Sequence, residues 1–273
     1  MSIPLQRLKT ASKDNLIAYM SALGRHVPGF ECTRDGRLIR ISADMPYPMF
    51  NRILETPTDL TAAALTSLIQ RVQARYARRG SPMMWIDWDG EENPELAERL
   101  LGTGFALSGR IPGMGLALAE FKEEMPAIPG LAISSLTKAE EFEVYKAVSA
   151  QTFGLPLPLN ALLVDAIAGE ALRGDGRTVS YLAELDGVPV AIATSFNQGE
   201  VAGIYNVGTL PSVRGKGIGR AVTVHAVREA RDAGASLAVL QASKMGEPVY
   251  RRIGFQDGLM IGLYQWEPPA AAF

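Results

Sequence analysis

The sequence predicts an α/β (α+β) protein of two domains, each a mixed, mostly antiparallel sheet flanked by helices. Three observations lead there. Apolar residues recur at strand spacing and at helix spacing in alternating segments along the 273 residues. The order strands, long helix, strand, short helix, Gly-Phe, strand occurs twice, with "ERLLGTGF" ending at Phe105 and "VYRRIGF" ending at Phe255 in matching places. Between the copies, "AEFKEEMPAIPGLAI" (Ala119 to Ile133) passes from a charged cluster through two prolines and a glycine into an apolar strand. The boundary is placed there, giving domains 1–128 and 129–273.

In the first domain "RLIRISADM" and "PMFNRIL" read as strands. The segment "DLTAAALTSLIQRVQARYARRG" reads as an amphipathic helix, because Leu65, Leu68, Ile69, Val72 and Tyr76 recur at helical spacing before Gly80 and Pro82. A strand "PMMWIDW", a short helix "NPELAERLLGTGF" and a closing strand "GMGLALA" complete the set. In the second domain "LAISSL" is a strand and "KAEEFEVYKAVSAQTF" a helix, followed by a Leu- and Pro-containing second helix. The stretch "VSYLAELDGVPVAIATSFNQGEVAGIYNVGTL" reads as three antiparallel strands with turns at Asp186-Gly187 and around Gln198-Gly199. A helix to about Asp232, closed by Gly234, then leads to strand "SLAVLQA", short helix "GEPVYRRIGF" and last strand "LMIGLYQW".

Composition narrows the function classes. Hydrophobic residues make up 47% and charged residues 21%, which is ordinary for a globular chain. The balance of 27 basic against 29 acidic residues gives no general attraction to nucleic acid or to an anionic membrane, so any anion site must be local. A single cysteine, Cys32, excludes an intramolecular disulfide framework, and with His26 and His225 far apart it excludes the common zinc spacings. No metal is expected. The N-terminal stretch has no uninterrupted apolar core of signal-peptide type and no run spans a bilayer, so a cytoplasmic location is expected.

The stretch "VRGKGIGRAV" (Val213 to Val222) sets glycines at alternate positions among cations, directly before a helix. It is not a Walker loop, which needs G-x-x-x-x-G-K-[ST], nor a dinucleotide fingerprint, since the last glycine of G-x-G-x-x-G falls on Arg220 or Val222. What remains is a turn whose bare backbone N–H groups at Gly215, Gly217 and Gly219 can approach an anion at a helix N-terminus. Arg214, Lys216 and Arg220 add charge where that anion is exposed. A solvated turn with surface cations is the competing reading.

Together "VGTLPSVRGKGIGRA", "LAVLQAS" and "PVYRRIGF" resemble the acetyl-CoA-binding core of the GNAT (GCN5-related) N-acetyltransferase superfamily. Arg214, Gly217 and Gly219 fill its Gln/Arg-x-x-Gly-x-Gly/Ala signature; Tyr250, Gly254 and Phe255 fill the downstream Tyr-x-x-x-Gly-Phe. The resemblance implies that loop amides from Arg214 through Gly215, Lys216, Gly217, Ile218 and Gly219 to Arg220 hold the coenzyme A pyrophosphate. It also implies that the preceding strand splays from its neighbour, with the backbones of Val207, Gly208 and Thr209 meeting the pantetheine arm and acetyl carbonyl. Where the family often has an asparagine seven residues before the tyrosine, this chain has Ser243, a hydroxyl with fewer donors and acceptors than an amide.

Direct attack of a neutral amine on the acetyl thioester is the implied reaction, with Tyr250 the general acid for the leaving thiolate. Glu200, near the start of the splayed strand, is the candidate base, and equally a solvated hairpin carboxylate. Asn206 and Glu184 are further candidates for positioning water, and His225 reads as structural or surface. The acceptor is expected to be a small-molecule amine or else a protein amine, with no nucleic acid and no membrane, on a monomer or homodimer. A coenzyme A-binding or sensing module without turnover is the alternative, and an oxidoreductase a distant third. The first copy lacks the machinery: "ETPTDLTAA" stands in place of the loop and Leu100 in place of Tyr250, although Asn93 keeps the asparagine spacing. It is expected to be a degenerate GNAT-like domain that shapes the acceptor pocket, with Trp85, Trp88 and Met114 as pocket or core residues.

Overall fold

The computed structural model describes residues 3–88, 90 and 94–269. Along the chain the elements are α1 (Leu5–Gly24), β1 (Glu31–Asp35), β2 (Leu38–Ser42), β3 (Arg52–Glu55), α2 (Ala62–Arg78), β4 (Met83–Asp87), α3 (Pro94–Gly102) and β5 (Ala106–Ala117). There follow β6 (Leu131–Ser135), α4 (Ala139–Phe153), α5 (Leu157–Ala171), β7 (Thr178–Leu185), β8 (Val188–Gln198) and β9 (Val201–Thr209). The chain continues with α6 (Ile218–Asp232), β10 (Leu237–Gln241), α7 (Glu247–Ile253) and β11 (Gln256–Trp266). Helix α1 and strand β1 are additions to the sequence reading. The segment read as the strand "PMFNRIL" divides into a 3-10 turn at Pro48–Phe50 and the shorter β3, because proline fixes the turn and has no N–H for a ladder.

Two compact units result: Met1–His26 with Gly113–Gly258, and Val27–Pro112 with Leu259–Phe273. The expected boundary at 128/129 therefore falls inside the first unit. Local composition marks where a connector runs, whereas unit membership depends on which strand edge a segment pairs with, and those edges lie far apart in sequence. Strands β5 and β11 each run from one unit into the other.

In the unit containing Val27–Pro112 the strand order is β1-β2-β3-β4-β11-β5. The end of the chain supplies an interior strand here, since Gly262–Trp266 of β11 pairs antiparallel with Met83–Asp87 of β4. Helix α2 buries the five apolar positions read from its spacing, Leu65, Leu68, Ile69, Val72 and Tyr76, in a core with Met83, Trp85 and Tyr264. The Thr61 side chain caps the helix by accepting from Ala64 N at 3.3 Å, so an ordinary cap stands where the second copy has its glycine loop. Leu100 is fully buried and Phe105 packs edge-on to Trp85 at 5.9 Å. Trp85 and Trp88 are core residues whose indole N–H groups donate to Thr56 Oγ1 and Leu54 O. Asn93 lies outside the described residues.

In the other unit the order is β5-β10-β9-β8-β7-β6, and of the pairs only β9 with β10 is parallel. The β7–β8 turn places both Asp186 (φ 53°) and Gly187 (φ 77°) in the left-handed region, as a two-residue hairpin with native twist requires. Helix α6 covers one face: its buried stripe of Ile218, Val222, Ala226 and Ala230 meets Tyr181, Ala191, Ala202 and Ile204. His225 on this helix contacts the Tyr181 ring edge-on at 5.3 Å, and partial burial lowers its pKa, which fits a structural role. Met114 is part of the same core. The opposite face carries α4, where the Tyr145 hydroxyl lies 2.9 Å from Thr194 Oγ1, and α1, whose Asn15 amide donates to Phe196 O and Val201 O.

Candidate functional site

The site begins with a strand that loses its neighbour. Pairing of β9 with β10 covers only Val201–Gly203 against Leu237–Val239, after which β9 continues to Thr209 without it. This is the splay that the family resemblance implied. Where it opens, β9 carries a bulge: Thr194 faces Tyr205, Ile192 faces Gly208, and Asn206 between them sits at φ 51°. Ile204 and Val207 pack with the α6 core, whereas the side chains of both Tyr205 and Asn206 reach α1. The bulge thus breaks the alternation by one residue, a face assignment that spacing alone left open.

Beyond β9, a 3-10 turn at Pro211–Val213 leads into the glycine loop. Gly215 and Gly217 take φ 79° and 82°, and Gly217 is the N-cap of α6 with no side-chain cap bond. The first N–H groups of a fifteen-residue helix therefore have no side-chain acceptor at the cap, the arrangement that suits an anion. Gly219 adds close approach of a different kind: a Cβ there would meet Thr209 Oγ1 at 3.2 Å.

Strand, loop and α7 enclose a cavity of about 410 Å³. Of the residues the sequence singled out, Val207, Gly208, Thr209, Arg214, Gly215, Gly217, Ile218, Gly219, Arg220, Ser243 and Tyr250 all line it. Lys216 is exposed on the loop and is not among the lining residues. Arg214 donates to Thr209 O at 3.1 Å and Thr152 O at 3.4 Å, which ties the loop to the ends of β9 and α4. Arg220 is paired with Glu123, whose backbone carbonyl accepts from Arg228 at 2.7 Å. Ser243 Oγ accepts from Gly246 N at 3.1 Å and so serves the entry to α7, with its own hydroxyl proton still available.

Tyr250 projects from α7 with its ring edge-on to Phe255 at 5.9 Å, and burial pushes its phenol up to about 12. Gly246 gives the ring its place, since a Cβ there would come within 2.8 Å of Tyr250 Cε2. The phenol is therefore protonated at neutral pH and its hydroxyl can donate at the cavity wall, although burial makes it a weaker acid than an exposed tyrosine.

Glu200 does not join this group. It precedes β9 at the end remote from Thr209, where its carbonyl accepts from Ser236 N and Leu237 N and its carboxylate from Ser236 Oγ at 3.3 Å. Eight residues of strand at about 3.3 Å each put roughly 26 Å between it and Gly208. Its neighbourhood is a separate open groove with α1 residues such as Arg7 and Asp14. Glu184, opposite Ala132 on β7, is likewise absent from the cavity lining. Sequence reasoning missed Thr152, Phe153, Met245 and Arg252, which also line the cavity. Thr152 and Phe153 close in on Gly208, where a Cβ would meet Thr152 Cγ2 at 2.5 Å. The lining has three arginines and, among the described residues, no carboxylate or histidine.

Residues 146–255, which hold the splayed strand, the loop and Tyr250, match the acetyltransferase (GNAT) family. This part of the chain is a GNAT acetyltransferase domain. The fold resembles that of a GCN5-related N-acetyltransferase from Kribbella flavida, 22% identical with a TM-score of 0.72 over 95% of this chain and 96% of that one. A GCN5-related N-acetyltransferase from Sphaerobacter thermophilus is 14% identical, with a TM-score of 0.67 over 87% and 82%. A tandem GNAT protein from the clavulanic acid biosynthesis pathway is 12% identical, with a TM-score of 0.63 over 96% of each chain. The last agrees with a tandem arrangement. No curated protein matches the chain in sequence. An acyltransferase follows from the GNAT assignment. No helix of the described residues is long and apolar enough to cross a membrane, and among them no group of three or more His, Cys, Asp or Glu could hold a metal ion.

Proposed function

We propose that the GNAT domain transfers an acetyl group from acetyl-CoA to a primary amine, a small-molecule amine before a protein amine. The observation that carries this reading is the joining, in one cavity, of the unpaired end of β9, the glycine loop at the α6 N-terminus and the protonated Tyr250. Acetyl-CoA supplies the activated acyl group as a thioester. The N–H groups from Gly215 to Arg220 would hold its diphosphate, aided by the helix dipole. The β9 backbone at Val207–Thr209, freed from β10, would orient the pantetheine arm and acyl carbonyl. Tyr250 holds the proton for the departing sulfur.

A protonated amine has no lone pair to attack with, so it must reach the cavity neutral or lose its proton to water. With no carboxylate or histidine in the described lining, the acceptor's own basicity sets the pH dependence. kcat/KM rises with pH until it passes the pKa of the amine used. Tyr250 contributes no alkaline limb within the ordinary working range.

The test is coenzyme A release measured against a panel of amines. Amine-dependent, saturable release is the expected result. Saturable acetyl-CoA binding with no release for any amine would instead favour a coenzyme A-binding or sensing module.

A further inference from the structure

Helix α1 lies far outside the matched segment 146–255, yet it packs against β8, β9 and β10 in the same unit. Two of its side chains, Asn15 and Tyr19, reach β9 at the bulge. The Asn206 amide donates to the Tyr19 hydroxyl at 2.8 Å across 187 positions of sequence. Tyr19 is 4% exposed and stacks on Tyr205 with ring centroids 4.3 Å apart and planes 4° from parallel. The Tyr205 hydroxyl in turn donates to Asn15 Oδ1 at 2.8 Å, and the Asn15 amide returns to the β8 and β9 backbones. Beside Asn15, Gly203 leaves the needed space, since a Cβ there would lie 2.1 Å from Asn15 Oδ1.

Asn206 and Asp186 are the two non-glycine residues of the described chain with positive φ, and Asp186 sits in a hairpin turn where that is routine. Within a strand it carries a conformational cost, which persists only where surroundings over-determine it. The surroundings here are α1. We infer that Tyr19 is a positioning residue of the transferase site: its hydrogen bond to Asn206 holds the bulge that turns Val207–Thr209 toward the donor cavity. Helix α1 is then a working part of the GNAT domain. The inference rests on reading β9 as the strand that orients the acyl donor.

Tyr19→Phe removes the hydroxyl and keeps the stacked ring, so the fold is retained. The expected result is faster amide hydrogen exchange at Asn206–Gly208 in the free protein, by roughly two- to tenfold, the range one neutral hydrogen bond supports. kcat for amine-dependent release falls by a similar factor, while coenzyme A affinity, set mainly by the loop, stays within twofold. Asn206→Gly takes the same backbone conformation without needing the tether, so adding Tyr19→Phe to it should change kcat no further. A purely structural Tyr19 would lower Tm and act equally in both backgrounds, and that outcome overturns the inference, as does unchanged exchange. If the wild type releases coenzyme A from no amine, the transferase reading fails by itself. The exchange measurement still decides whether Tyr19 holds the bulge.

Discussion

Among single residues, the proposed site separates Tyr250, the group that would react, from glycines that shape backbone. Tyr250→Phe keeps the ring against Phe255 and removes only the hydroxyl with its transferable proton. We expect kcat to fall by roughly 10²- to 10⁴-fold with coenzyme A affinity nearly intact, checked by steady-state rates beside calorimetric titration. Unchanged turnover would remove Tyr250 from the chemistry. The glycines act differently. At Gly217 an added Cβ meets only ordinary contact, 3.6 Å from Ile128 Cδ1, so Gly217→Ala isolates the left-handed backbone, a strain of about 1–2 kcal/mol. Donor affinity should drop as the loop relaxes, measured by the same titration. At Gly219, where φ is not positive, Gly219→Ala instead pushes on Thr209 Oγ1 and so disturbs the end of β9.

At the scale of elements, α4 shows how a remote cap reaches the site. Glu141 accepts from Thr137 N at 2.7 Å and Lys138 N at 2.8 Å, and these backbone donors hold its carboxyl below the ordinary value. A depressed folded-state pKa stabilises above the ordinary Glu pKa, and the contribution is lost as pH falls through the folded value. Glu141→Gln should therefore lower Tm modestly at pH 7, with the deficit shrinking toward pH 3 in thermal melts. The far end of the same helix presents Thr152 and Phe153 to the cavity. Most elements were legible because their signals are local: the stripe of α2, the Asp186-Gly187 turn, the glycine before α6. The loop and Tyr250 were legible for the same reason. Helix α1 is not legible in this way, since polar Ser12 and Asn15 interrupt its buried stripe and its hydrogen-bond partners sit about 190 residues on. Thr152 and Phe153 carry no motif; only the packing of α4 on β9 brings them to Gly208. Glu200 was misplaced because nearness in sequence to a functional strand says nothing about which end of it bears the site.

At the scale of the whole molecule, each half of the sequence lends segments to the other unit. Residues 113–117 pair with β10, and the last strand completes the order around β4. A fragment 129–273, cut at the boundary that composition suggests, would lose the β5 partner of Leu237–Gln241 along with Asn15, Tyr19 and the rest of α1. We expect it to be poorly soluble or to melt well below the full chain by circular dichroism, with weakened coenzyme A binding; equal stability and binding would show that residues 1–128 are dispensable. One cavity, built from splayed strand, glycine loop and α7, is proposed to receive the acyl donor. A crystal structure of the full chain with acetyl-CoA tests it most directly. The expected result is the diphosphate within hydrogen-bond reach of backbone N–H groups between Gly215 and Arg220, the acyl carbonyl facing β9 at Val207–Thr209, and the sulfur on the Tyr250 side. Donor bound elsewhere, or no donor in that cavity at saturating concentration, would contradict it.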